Sequence, residues 1–325
     1  MELAKIRSGK KWVWLRLHVG VLAATVTTLA FSGVSFGATS KQKSFASAEE
    51  AVKAIVAAAK NQDDKELLAI FGPAARELIF SGDAIADRQR RERFVQAYNE
   101  KNSLLGKGDS AVLVIGKKDW PFPIPVVKKG KGWVFDTAKG KEEILNRRIG
   151  ENELNAIQVC LAIVDAQREY AMKDPDYNET LAYAEKFMSD PGKTNGLYWE
   201  TKDGEKPSPL GPLVAQARQE GYGKNRSGDK TSPYHGYYYR ILKAQGKNAP
   251  GGAYNYLVKG KMIGGFALVA YPAEYGNSGV MTFIVNHDGV VYQRDLGKGT
   301  ANLAQKMSRF DPDRNWKKID NVAKF

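Results

Sequence analysis

The side chains able to do chemistry are few and scattered. Past residue 40 the sequence holds two histidines, His235 and His287, and one cysteine, Cys160. A hydrolytic triad would need a nucleophile beside one of the histidines and an acid such as Asp288 or Asp295, but no Gly-x-Ser-x-Gly turn presents a serine. His-Glu-x-x-His spacing is absent too, so no transition-metal site and no cofactor are expected. Asp174-Pro175-Asp176-Tyr177-Asn178, with Leu181 and Glu185 beyond, opens like a calcium loop. Glu179 stands where the sharp turn of such a loop requires glycine. Asp311-Pro312-Asp313-Arg314-Asn315 repeats the opening without the rest, and both read as turns whose Asp and Asn bond nearby backbone. Cys160 lies among apolar residues at helical spacing, where a thiol is buried and inert. A lone cysteine also forbids an intramolecular disulfide.

Recognition is better supplied than catalysis. Tyrosine combines an apolar face with a polar tip, and the cluster running from Tyr234 to Tyr275 could hold a sugar ring or a partner protein. The candidate binding face is Tyr234, His235, Tyr237, Tyr238, Tyr254, Glu274 and Tyr275. Alternating tyrosines also pack sheets, which is the plainer reading. No catalytic residues are assigned, and a hydrolase alternative would rest on carboxylates such as Glu274 and Asp288 in a C-terminal cleft. Arg88-Gln89-Arg90-Arg91-Glu92-Arg93 is a dense basic run, read as a solvated helix face ahead of a phosphate or nucleic-acid site.

Those residues need elements to hold them. Tyr234 to Leu242 is rich in aromatic and β-branched residues and reads as a strand, followed by a short strand at Tyr254 to Val258. Met262 to Tyr271 is apolar on both faces, as an interior strand would be. Val280 to Val285 and Val290 to Leu296 flank Asn286-His287-Asp288-Gly289, a hairpin spacer with Gly289 at positive φ. The meander needs a cover, and Leu154, Ile157, Leu161 and Val164 recur at spacings of three and four towards Tyr170. Lys141 to Arg148 forms a separate helix ended at Gly150, and Asn178 to Met188 a further short one.

The N-terminal half puts helices before strands. Ser47-Ala48-Glu49-Glu50 has the form of a capping box, Asp63-Asp64 can cap a second helix, and a third begins after Gly82-Asp83. Strands are expected at Ala111 to Ile115, Phe122 to Val127 and Trp133 to Asp136. The fold class is therefore α+β: helices on a small curved sheet, then a long helix packed on an antiparallel meander. Domains are expected at 44–148 and 149–325.

Length, charge and the N-terminus set the context. A chain of 325 residues with 43% hydrophobic and 26% charged residues can bury a large core. Lys5, Arg7, Lys10, Lys11 and Arg16 precede an apolar run from Leu17 to Phe36, which reads as a signal peptide at 1–37; an uncleaved inner-membrane anchor is the alternative. The destination is periplasmic or secreted. A net charge of +13 favours anionic membrane surfaces or cell-wall polymers as partners, beside envelope proteins, with no specific nucleic acid.

Several segments together carry a resemblance. Arg147-Arg148-Ile149-Gly150-Glu151-Asn152-Glu153-Leu154, Tyr234-His235-Gly236-Tyr237-Tyr238, Gly251-Gly252-Ala253-Tyr254, Met262-Ile263-Gly264-Gly265-Phe266-Ala267, Pro272-Ala273-Glu274-Tyr275-Gly276 and Asp288-Gly289-Val290-Val291-Tyr292 resemble the bacterial domain-of-unknown-function 2950 family. The likeness spans nearly the whole chain after the leader, and it implies no catalytic residues, because the family has no established activity. By element order, residues 44–145 resemble the nuclear-transport-factor-2-like cone, a fold that can enclose a pocket. The C-terminal half resembles the globular heads of type IV pilins and pseudopilins, without their hydrophobic N-terminal half-helix. The expected function is a non-catalytic binding or interaction module of the envelope, with a hydrolase or a pilus or secretion accessory as alternatives.

Overall fold

The computed structural model describes residues 41–173, 181–223 and 232–320. The leader at 1–37 and the calcium-like opening at 174–178 lie outside the described residues.

Four helices come first: α1 (Ala48–Lys60), α2 (Asp64–Phe71), α3 (Arg76–Ile79) and α4 (Ala84–Glu100). The three longer ones start where a short polar side chain takes up an orphan amide. Ser47 accepts from the Glu50 amide at 3.2 Å while the Glu50 carboxylate reaches back to the Ala46 amide. Asp63 accepts from Glu66 N at 2.9 Å and Asp83 from Ala86 N at 3.0 Å. The helices pack on an antiparallel sheet made of β1 (Asn102–Lys107), β2 (Ser110–Ile115), β3 (Trp120–Pro121), β4 (Val126–Lys129) and β5 (Gly132–Phe135). Its order is β1-β2-β4-β5, with β3 paired to the far end of β2. Of the strand expected at Phe122 to Val127 only Val126 and Val127 form one, at the start of β4; residues 122–125 are outside the strands, where Pro123 and Pro125 have no amide to give a ladder. Ile55, Ile70, Phe71, Leu113, Ile124 and Phe135 fill the core between the layers.

Next comes α5 (Thr137–Lys173), one helix of 37 residues. The expected break at Gly150 does not occur. A single glycine costs a helix only about 1 kcal/mol, and packing on both sides of it exceeds that. Ile144 lies against the first core, whereas Ile157, Cys160 and Val164 belong to a second. Cys160 is fully buried there, and burial pushes its thiol up to about 12.

The second core is built on the predicted meander. After α6 (Gly211–Gln219) come β6 (Tyr237–Leu242), β7 (Ala244–Gln245), β8 (Tyr254–Asn255), β9 (Leu257–Val258), β10 (Lys261–Met262), β11 (Ala267–Pro272), β12 (Met281–Asn286), β13 (Val291–Asp295), α7 (Thr300–Lys306) and β14 (Lys317–Lys318). The main sheet is antiparallel in the order β14-β13-β12-β11-β6. Every residue of β11 is buried, in keeping with its apolar faces. Gly289 sits at φ 80° in the β12–β13 turn. Helix α5 packs on β11 and β12. On the opposite face the Arg240 guanidinium donates to the Ala304 and Met307 carbonyls, which anchors α7.

The helix expected at 178–188 is corrected over its described part: residues 181–188 are not helical, with Tyr183 bridging Met262 and Met188 bridging Tyr198 on either side of a bend. The reason is a buried amide. Gln167 of α5 donates to Ala184 O and accepts from Ala184 N, both at 2.8 Å, so it acts as a strand partner for that backbone.

Two glycines of α5 give opposite expectations. A Cβ at Gly150 meets nothing within 4 Å, whereas one at Gly140 lands 2.7 Å from Ile124 Cγ1 and against the Pro123 carbonyl. Gly150→Ala is expected to raise unfolding stability by about 0.5–1 kcal/mol. Gly140→Ala should lower it by about 1–3 kcal/mol through overpacking. Urea denaturation of the two variants side by side checks both signs.

Candidate functional site

The inward stripes of α4 and α5 change character along their length. On α4, Asp87, Arg90 and Arg91 lie in phase with Phe94 and Ala97; on α5, Ile144 is followed in phase by Arg147, Arg148 and Glu151. All of these residues line one pocket of about 450 Å³ between the helices and the first sheet. Ile55, Leu67, Phe71 and Phe122 complete its apolar wall. Its lining also includes five arginines and two carboxylates.

Most of those arginines have ionic partners. Arg90 lies 3.3 Å from Asp87, Arg91 2.7 Å from Asp64, Arg93 3.5 Å from Glu151, and Arg147 2.6 Å from Glu143 while stacking over Trp120. Arg148 differs. It is 4% exposed and donates to the Glu77 and Leu78 carbonyls and to Asn277 Oδ1, all uncharged acceptors. Burial, reinforced by the nearby charge of Arg90, draws its guanidinium down to about 10, although Asp87 and Glu274 act the other way. Burial likewise raises the Asp87 carboxyl, against the hydrogen bond it accepts from Ser81 N at 2.8 Å.

The two cores are joined around Arg90 and Arg148. Arg90 donates to Asn152 Oδ1 and Asn152 Nδ2 to the Ser278 carbonyl, each at 2.8 Å. Asn277 Nδ2 donates to Phe80 O at 2.7 Å and to Glu274 Oε2 at 2.9 Å. Besides capping α4, buried Asp83 accepts on Oδ2 from Tyr222 OH and from the Gly236 amide, both at 2.8 Å. Gly236 is required here: its φ is 75°, and a Cβ would lie 2.5 Å from Asn152 Nδ2. A second hollow of about 330 Å³ opens beside this junction, lined by Asn152, Glu220 and His235 and sharing Arg90, Arg93 and Glu151 with the first.

The candidate binding face does not assemble as one surface. Tyr234 and His235 stand together at the junction, with rings 4.1 Å apart. Tyr237 is 0% exposed and donates to Met281 O, so it is core; strand alternation turned it inward. Tyr238 is on the other face of β6, half-buried beside Tyr271. Tyr254, 39% exposed, belongs to the small β7–β8 pair. Glu274 and Tyr275 lie in the β11–β12 loop, where Tyr275 OH donates to Asp295. Glu274 and Asp288 occupy loops at opposite ends of the second sheet, because Ala267 pairs with Asn286 and Ala270 with Phe283. They do not share a cleft. His287 adjoins Asp288 at 3.8 Å, far along the sheet from His235. The cone resemblance allowed for a pocket in this half but not for its lining, for which Arg90 and Arg91 falling in phase with Phe94 and Ala97 was the visible signal.

His235 carries a pH consequence. It sits at φ 50°, 3.5 Å from Glu220 Oε2, and burial lowers its imidazole below the usual 6.5 despite that carboxylate. The unfolded chain therefore takes up the proton first, and stability present above pH 6.5 is lost as pH falls below it. His235→Asn, which tolerates the left-handed backbone, is expected to flatten that decline in denaturation curves recorded across the range.

Comparison with curated proteins and with solved structures finds no match. The profile of one family, described as "Protein of unknown function (DUF2950)", matches residues 42–319. That span takes in both cores, the pocket and the junction that carries Tyr234-His235-Gly236. The chain belongs to the DUF2950 family.

Proposed function

We propose that this protein is an exported, non-catalytic binding module of the cell envelope, and that its ligand enters the apolar pocket under α4. The observation that carries the reading is the pocket: about 450 Å³, walled mostly by apolar side chains of α1, α2, α4, α5 and the first sheet, with a few arginines and carboxylates among them. Small-molecule sites have this form, mostly apolar with a few convergent polar groups. The basic residues and apolar run before residue 37 support delivery to the periplasm or beyond. No described helix is long and apolar enough to cross a membrane. The basic balance, +13 for the whole sequence and +9 once the five basic residues and Glu2 of the leader are left out, supports work near anionic membrane or wall surfaces, which hold the protein close to amphiphilic molecules.

A neutral apolar fluorophore tests the pocket directly. N-phenyl-1-naphthylamine is expected to brighten on addition of the purified protein with a saturable 1:1 profile. Ala97→Phe, which adds volume at the pocket wall, should weaken that binding about ten-fold or more with an unchanged circular-dichroism spectrum. An undiminished signal in this variant would place the dye elsewhere and remove the support for the pocket as the binding element.

A further inference from the structure

Arg148 is a cation taken out of water without a contacting anion. Its Nη atoms are bonded to uncharged oxygens, and its Nε has no hydrogen-bond partner among the described residues. The Arg90 Nε is in the same condition; the Glu151 carboxylate is 3.9 Å away, beyond hydrogen-bond reach. Both residues line the pocket, and each raises the electrostatic cost of the other. Buried polar hydrogens of this kind are rare in native structures and call for a specific explanation. Adjoining them is an apolar wall containing Phe71, Phe94 and Phe122, which no polar ligand would fill.

We propose that the pocket takes a single-chain amphipathic oxyanion, an acyl carboxylate or alkyl phosphate. Its chain lies against the phenylalanines, and its head is held by the positive charge of the Arg90 and Arg148 guanidinium groups that line the pocket. This assignment rests on the pocket being the binding element. Two features favour it over a neutral apolar ligand. A guanidinium N–H to an oxyanion is a charge-assisted bond, roughly twice as strong as a neutral one. Each methylene buried from water adds about 0.8 kcal/mol. The competing anion is Glu151, whose half-exposed carboxylate reaches both Arg90 and Arg93 at the mouth.

The test is competition against bound N-phenyl-1-naphthylamine by dodecanoate, dodecyl phosphate and dodecanol, which share a chain and differ in head group. One or both oxyanions are expected to bind at least about ten-fold more tightly than the alcohol. Arg90→Gln should reduce that ratio towards one, and Glu151→Gln should increase it. The ratio is internal to each protein, so a general change in pocket affinity does not imitate the effect. Should Arg90→Gln fail to fold, the ratio in the unaltered protein still decides. Equal binding of alcohol and oxyanions there, with the dye bound, overturns the head-group assignment and leaves the pocket standing. No saturable dye binding overturns the pocket reading itself, and this assignment with it.

Discussion

A buried guanidinium has to be held by oxygens that the fold brings to it, and the arrangement around Arg148 governs much of this protein. Its acceptors come from α3 and from the β11–β12 loop, so one side chain on α5 draws both halves of the chain to the same point. Removing hydrogen-bond partners from such a group would strand a desolvated charge, at a cost of several kcal/mol. Around it the same logic recurs. Asn152 bridges Arg90 to Ser278 O, and Asp83 collects the Tyr222 hydroxyl and the Gly236 amide while capping α4. A polar layer of this sort adds little net stability, but it admits only one arrangement of the elements that meet there.

That layer explains the continuity of α5. The helix runs through Gly150 because the residues on either side are committed to different partners: Ile144 to the first core, Arg148 and Asn152 to the junction, Ile157 to Val164 to the second core. The junction also closes one end of the apolar space beneath α4. A pocket lined mostly by hydrocarbon yet bordered by incompletely paired guanidinium groups is the result, and the proposed ligand chemistry follows from that combination.

Local patterns were legible in the sequence to the extent that they depend on neighbours along the chain. Ser47 and Asp63 cap the helices they were expected to cap, and the helix expected after Gly82-Asp83 starts there. Of the two-sided apolar run from Met262 to Tyr271, Ala267 to Tyr271 form a fully buried strand, while Met262 pairs in β10 and residues 263–266 stay outside the sheet. Gly289 turns the β12–β13 hairpin. Failures came where a distant residue overrode a local preference. Gln167 bonds the Ala184 backbone inside a segment whose spacing suggested a helix. Prolines broke a strand that hydrophobicity alone had drawn as continuous. The arginine run of α4 read as a solvated face because charge usually stays in water, yet Arg90 and Arg91 are only 21% and 15% exposed.

The sequence by itself determined the α+β class, the caps, the meander and the long covering helix, since each follows from periodicity and backbone chemistry within a few residues. Family membership rests on its motifs as well. Only the tertiary structure decided that Tyr237 is core while Tyr234 and His235 face the junction, that Glu274 and Asp288 lie at opposite ends of a sheet, and which side chains line the pocket. The physical reason is that a cavity and a buried ion network are made by residues far apart in the chain. Their chemistry depends on distances that no local spacing encodes.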